Sequence, residues 1–272
     1  MEHIPSDAQF SGSIPALYER YLVPMLFQPY ADDLAARVAR LSAHAVLEVA
    51  AGTGVVTRQL AMRLPGDTSI VATDLNAAML EQAERTGTSR PVEWRPADAQ
   101  QLPFADASFD AVVCQFGVMF FPDKPKAFAE ARRVLRPGGT FLFNTWDRIE
   151  ENVLAQTVTD ALAEVFPDNP PGFLARTPHG YFDREAIARD LVAGGFTHPP
   201  HIDTLSNTSH ADVPSIPAIA YCQATPVRNE IEARDPARLE HATQVVEQAL
   251  SRRFGDGPIA GRMQALVVQV SA

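Results

Sequence analysis

Apolar positions along this chain keep two rhythms, short unbroken runs and longer stretches with helical spacing, and the two alternate. Val46, Leu47 and Val49 form a short run interrupted by one carboxylate, Glu48, as expected of an interior strand in a parallel sheet. V-V-T-R-Q-L-A-M-R-L follows, with Val55, Val56, Leu60 and Leu64 at near-helical spacing. S-I-V-A-T-D, ending in Asp74, is a second strand candidate, Val92 to Arg95 a third, and Phe109 to Phe116 a strongly apolar fourth. F-P-D-K-P-K-A-F-A-E-A-R-R-V-L-R-P-G-G-T then predicts a helix with proline near its start and Gly138-Gly139 past its end. T-F-L-F-N-T-W-D is the fifth strand.

Outside this stretch the pattern is helical for longer. Residues 14–41 predict two helices, one with Pro15 near its start and one over A-D-D-L-A-A-R-V-A-R. E-N-V-L-A-Q-T-V-T-D-A-L-A-E-V-F reads as an inserted helix ended by the proline-rich P-D-N-P-P-G from Pro167. Asp183 to Ala193 is a helix stopped by Gly194-Gly195, and H-I-D-T-L-S-N-T-S-H alternates as a strand does. Two helices, roughly 213–233 and 236–254, precede a terminal strand in M-Q-A-L-V-V-Q-V-S-A. Such alternation gives an α/β fold, a doubly wound, mostly parallel sheet. No internal repeat or low-complexity tract interrupts it.

The first strand runs into a glycine turn, A-A-G-T-G, and that junction carries the chemistry. Gly52 and Gly54 lack the Cβ atoms that would hold a ligand off the backbone. About twenty residues on, Asp74 can accept hydrogen bonds from both hydroxyls of a ribose, so the pattern suits an adenosine-containing cofactor. A dinucleotide site usually wants a third glycine and a helix N-terminus aimed at pyrophosphate. Thr57 stands at that third position, and the negative charge of Glu48 would lie close to the phosphates. The same acid suits a ligand with an ammonium and a sulfonium.

On these residues the chain resembles the class I S-adenosylmethionine-dependent methyltransferases, most of all the group typified by ubiquinone/menaquinone-biosynthesis C-methyltransferases. E-V-A-A-G-T-G, T-D-L-N-A-A-M-L from Thr73, D-A-Q-Q-L-P-F-A-D-A-S-F-D and V-L-R-P-G-G carry the resemblance, in order, over roughly residues 40–147. It implies a Rossmann-like sheet of seven strands with the last antiparallel, and one methyltransferase domain over 1–272. Helices in 14–30, 150–180 and 211–255 would form an acceptor-covering cap. It implies that Glu48, Gly52 and Gly54 surround the methionine part of S-adenosylmethionine and that Asp74 binds the ribose. Asp98 and Ala99 would hold the adenine, with Gln115 and Phe116 flanking the cofactor. Ala50, Thr53, Leu75 and Met79 are further expected cofactor contacts. Ala51 replaces a cysteine that many relatives carry, and F-G-V-M-F-F-P-D from Phe116 lacks the histidine pair of quinone-type members.

Composition narrows the partners. The 272 residues, 46% hydrophobic, can bury a substantial core. A formal charge of -10 disfavours nucleic acid, whose phosphates need a basic face. Cys114 and Cys222 have neither metal nor redox-motif spacing, and no run reaches the ~20 apolar residues of a membrane span. Met1 to Phe10 has no leader pattern, so a cytoplasmic chain is expected. The expected partner is a small-molecule methyl acceptor, apolar or aromatic, with no metal. A sulfonium methyl is already activated, so a base matters only if the acceptor must lose a proton. His179, Tyr181, His198, His201 and His210 are candidates without a motif that fixes a role. Tyr18 and Tyr21 could cover a sulfonium by cation–π contact or serve as helix packing. Two other readings stand beside a methyltransferase: a nicotinamide oxidoreductase, and a non-catalytic protein that holds S-adenosylmethionine.

Overall fold

A computed structural model describes Asp7, Phe10 and residues 12–272, so most of the N-terminal stretch read for a leader lies outside the described residues. Seven strands form one sheet in the order β3-β2-β1-β4-β5-β7-β6. They are β1 (Ala45–Val49), β2 (Ser69–Asp74), β3 (Glu93–Pro96), β4 (Phe109–Gln115), β5 (Leu135–Trp146), β6 (His201–Ala211) and β7 (Ile259–Ser271). The first five pair in parallel, with Val46 opposite Ile70 on one side and Ala111 on the other. β7 runs against β5: the Ala272 N–H donates to Gly139 O, and the Asp147 N–H donates to Gln264 O. The seven-stranded sheet, with its last strand antiparallel to β5, is thus as the resemblance implies.

By internal contacts the chain divides into two compact units. One comprises residues 28–145, 181–205 and 265–272. It holds α2 (Gln28–Val38), α3 (Val55–Arg63), α4 (Ala77–Thr86), α5 (Lys124–Val134) and α8 (Arg184–Ala193). Its core stacks aromatic rings, with Phe128 on Phe143 at 5.4 Å and Phe141 on Phe196 at 6.0 Å between centroids. α5 begins where the Asp123 carboxylate accepts the Lys126 N–H, with Pro125 in the first turn, where no helical bond needs its missing N–H.

Gly138 and Gly139 do not cap α5 as the sequence predicts. The helix ends at Val134, and Leu135–Gly139 already belong to β5, where the pairing with β4 jumps from Phe109↔Leu135 to Ala111↔Thr140. The pair occupies this bulge because Gly138 has φ +79° and a Cβ on Gly139 would lie 2.9 Å from Arg136 O.

The other unit comprises residues up to Phe27, 146–180 and 206–264. Within it α11 (Leu239–Phe254) packs on α6 (Val153–Val165) and α9 (Ser215–Gln223), burying Val158, Leu162, Ala218, Val246 and Leu250. α1 (Ile14–Leu17) leads directly into a π-helix, Tyr18–Phe27, so the first predicted helix changes geometry part way. The helix expected over 213–233 is two, α9 and α10 (Val227–Arg234). Pro226 cannot supply a helical N–H, and Thr225 Oγ1 both donates to Tyr221 O and accepts the Val227 N–H. The proline-rich stretch after α6 is pinned: Arg234 donates to Asn169 O at 2.6 Å and Pro170 O at 3.0 Å.

Candidate functional site

In a parallel sheet the strands of one direction all deliver their loops to the same edge, and ligand-binding groups gather there. β1 delivers Glu48, Ala50 and the glycine turn, β2 delivers Asp74, and β4 delivers Gln115 and Phe116. The turn is bound to β2 by the Ala51 N–H donating to Thr73 O at 2.8 Å and by Thr73 Oγ1 donating to Glu48 O at 3.0 Å.

Asp74 organises the turn. Its Oδ2 accepts the Gly52 N–H and its Oδ1 accepts the Asn76 N–H, each at 2.8 Å. Burial nevertheless raises its pKa above the ordinary carboxylate value, with these backbone bonds opposing the rise. Glu48 is 1% exposed. Among the described residues its carboxylate has one hydrogen bond, from Thr57 Oγ1 at 2.5 Å, and no ion-pair partner. Burial pushes its pKa up to about 8, partly opposed by that bond and by the Arg58 charge, while Asp74 adds to the rise.

The two glycines differ in their purpose. Gly52 has φ +58°, and a Cβ there would meet only Met79 Cε at an ordinary 3.6 Å, so its backbone conformation calls for glycine. Gly54 has φ +82°, and its Cβ would press to 2.8 Å from the Trp94 ring and 3.2 Å from Ala83. Its bareness therefore serves packing of the turn on β3 and α4, where the sequence suggested ligand approach.

The remaining predicted residues line the same strand ends. Thr53 is buried, and among the described residues its Oγ1 has no hydrogen-bond partner. Leu75, directly after the buried Asp74, is 41% exposed, an uncovered apolar side chain; Met79 is buried. Asp98 follows β3, accepts the Gln100 N–H at 2.8 Å and bridges Gln101, with Ala99 buried beside it. Ala97 N–H donates to Asp74 O, which sets this loop against the β2 end.

Four further residues shape the edge. Phe116 has φ +50°, and Asn144 Oδ1 on β5 accepts its N–H at 2.8 Å. Tyr30, fully buried, meets the Phe116 ring edge-on at 5.2 Å. A Cβ on Gly117 would stand 2.6 Å from both Ala50 Cβ and Cys114 Sγ, so the loops after β1 and β4 touch where Gly117 is bare. Ala50 itself has φ +55°. Asn144, the polar residue inside F-L-F-N-T-W, was a signal in the sequence, and Thr57 carries the hydroxyl that Glu48 uses.

Tyr18 and Tyr21 belong to the other unit. Tyr18 stacks on Phe27 at 5.0 Å, Phe27 meets Trp146 at 6.2 Å, and the Arg20 guanidinium lies over Tyr21. His179 is buried in that unit beside Trp146, with Nδ1 2.8 Å from Asp147 O. Burial depresses its pKa to about 4, so it is neutral at neutral pH. Tyr181 donates to Asp190, His201 pairs with Asp203, and His198 and His210 are exposed. Among the described residues no three His, Cys, Asp or Glu side chains converge as a metal site would need, and no helix is long and apolar enough to cross a membrane.

Residues 47–143 match the methyltransferase domain family. A ubiquinone/menaquinone biosynthesis C-methyltransferase from Idiomarina loihiensis is 39% identical over 164 residues, 56% of this chain and 65% of that protein. An uncharacterized Mycobacterium tuberculosis protein is 33% identical over 154 residues, 56% of this chain and 53% of that protein, so the chain spans about half the length of such curated relatives. Among solved structures, a Haemonchus contortus phosphoethanolamine N-methyltransferase 2, in complex with S-adenosylhomocysteine, shares the fold at TM-score 0.57 and 17% identity, covering 94% of this chain and 56% of that one. A (4+2)-cyclase shares it at TM-score 0.51 and 20% identity, covering 90% and 82%.

Proposed function

We propose that this chain, which carries a methyltransferase domain over residues 47–143, the family to which that stretch belongs, binds S-adenosylmethionine at its strand ends and methylates a small, apolar or aromatic acceptor. One observation carries the reading: two buried carboxylates, Glu48 and Asp74, frame the glycine turn, and the Gly52 N–H is already given to Asp74. A pyrophosphate wants free amides and a positive field. Here it would meet a committed amide and two acids, which argues against a nicotinamide dinucleotide.

The groups present fit the cofactor part by part. Asp74 Oδ2 accepts the Gly52 N–H, and Oδ1 accepts the Asn76 N–H and, at 3.4 Å, the Asn76 side-chain amide, which leaves Oδ2 the freer oxygen for a ribose hydroxyl. Leu75 offers an exposed apolar face to the adenine, with Asp98 and Ala99 beyond it. Glu48 suits the ammonium, and the unpartnered Thr53 Oγ1 suits the methionine end. The bound cofactor supplies an already activated methyl group. The chain's own task is then alignment and exclusion of water, through backbone fixed by Ala50, Gly52, Gly54 and Phe116. Acceptor recognition is assigned to the unit holding Tyr18, Tyr21, Phe27 and Trp146, whose rings favour an apolar or aromatic partner. The relative named for quinone biosynthesis supports a ring-bearing acceptor, although the chain lacks the histidine pair of that group.

Thermal shift provides the first test. S-adenosylhomocysteine at about 100 times its Kd should stabilise the protein by roughly 2.7 kcal/mol, while NAD(H) and NADP(H) should not. Stabilisation by a dinucleotide alone would refute the reading. Because a cyclase also has this fold, transfer is then measured directly, as labelled methyl passed to a panel of quinols, phenols and amines.

A further inference from the structure

We infer that Thr57 is a positioning residue for the cofactor. Its hydroxyl fixes the orientation of the Glu48 carboxyl group, which gives up its proton when a ligand bearing an ammonium group binds. This rests on the reading above and goes beyond it, making cofactor capture a proton-releasing step.

The geometry is that of a buried acid that has no ion-pair partner among the described residues and feels the Arg58 charge only at a distance. Glu48 sits in an interior strand with Ala72 of β2 opposite on one side and Val113 of β4 on the other. Apolar β1 neighbours Leu47 and Val49 are buried beside it. From α3, Thr57 Oγ1 donates to Oε2 at 2.5 Å, while Arg58, one residue on, directs Nη1 to Thr53 O at 2.7 Å. From β2, Asp74 adds a negative charge; from β4, the nearest titratable group is Cys114, a thiol whose own pKa burial raises. α2 contributes no compensating cation: its Arg37 pairs with Asp33 and Asp203.

An isolated buried carboxylate responds to such surroundings by taking up a proton, and burial accordingly holds Glu48 neutral up to about pH 8. An ammonium brought beside it reverses the balance. The carboxyl O–H then breaks heterolytically, its proton passes to solvent buffer, and the ammonium keeps its three. No other bond changes. Thr57 matters because its hydroxyl is the neutral donor that favours the carboxylate and fixes which oxygen is engaged. In a dinucleotide fingerprint this position is the third glycine, so the hydroxyl marks a change in the charge of ligand the turn can accept.

Calorimetry of S-adenosylhomocysteine binding, repeated at pH 6.5 in buffers of different ionisation enthalpy, tests this without reference to activity. At that pH an α-amino group is still charged, and wild-type protein should release about one proton per ligand bound. From pH 6 to 7.5 affinity should rise by nearly tenfold per pH unit. Glu48→Gln should bind more weakly and release none. Thr57→Val should move the rise to higher pH, and Thr57→Ser should restore it. Binding by wild type with no proton released would overturn the inference and leave the cofactor reading standing. No binding of S-adenosylhomocysteine at all would overturn that reading itself.

Discussion

The glycine-turn edge of one unit and the loops of the other are held by different means. At the glycine-turn edge, contacts are short and backbone-centred: amides donate to Asp74, Thr73 and Asn144, and Gly54 and Gly117 are bare where neighbouring segments press in. In the helical unit, long side chains bind loops at a distance. Arg176 reaches Asp7 at 2.7 Å and Glu230 at 2.8 Å, Thr177 donates to Asp7, and Glu230 also accepts the Gly172 and Phe173 N–H groups. A backbone-centred edge has almost no room for substitution but fixes ligand-binding atoms well. Side-chain bridges on partly exposed residues can be lost one at a time, since each is worth little.

The largest effect should come from breaking the first kind of contact. Gly54→Val adds a branched side chain where Cβ alone would sit 2.8 Å from Trp94, at φ +82°. We expect a loss of about 3 kcal/mol or more, read as the midpoint of urea unfolding, from overpacking and backbone strain together. Glu48→Gln is of similar size and has the opposite sign. Because the folded-state pKa of Glu48 lies near 8, above its ordinary 4.5, its contribution is fully present below about pH 4.5 and is lost as pH rises through about 8. The amide escapes that loss, so the ligand-free variant should gain on the order of 4 kcal/mol over wild type at pH 8 and almost nothing at pH 4.5. Equal stability of the two proteins at both pH values would contradict this.

Asp74→Ala should weaken S-adenosylhomocysteine by about 1–3 kcal/mol through lost charge-assisted bonds, and should also loosen the turn, because Gly52 and Asn76 lose their acceptor. Unchanged affinity by calorimetry would remove the ribose assignment. The smallest effect belongs to the helical unit. Arg176→Ala should cost about 1 kcal/mol or less in urea unfolding, since the guanidinium is half exposed and Glu230 keeps two backbone donors. A loss as large as that of Gly54→Val would erase the contrast between the units.

What could be read from the sequence follows the same division. β1, β2 and β4 were legible because strands buried on both faces leave unbroken apolar runs, and Glu48, Gly52 and Asp74 interrupt those runs at telling places. Lone spacing could not show that Gly54 faces Trp94, forty residues away, or that Asn144 holds Phe116, because such pairings are made by sheet order. Gly138-Gly139 imitated a helix cap because the same left-handed freedom serves a bulge. In the helical unit the break at Pro226 was visible, but the π geometry of Tyr18–Phe27 carries no residue signature that periodicity can read.

The contact of Gly117 with Ala50 and Cys114 has an evolutionary consequence. Positions 114 and 117, close in sequence, and position 50, far from both, share one small volume, so their substitutions must be epistatic. Gly117→Ala alone should be costly. Combined with Ala50→Gly and Cys114→Ala, which vacate the two atoms it would strike, it should be tolerated, with a coupling of about 1–3 kcal/mol in a mutant cycle. Across homologous chains the three positions should therefore covary, and a lineage that enlarges one should have made room at another first.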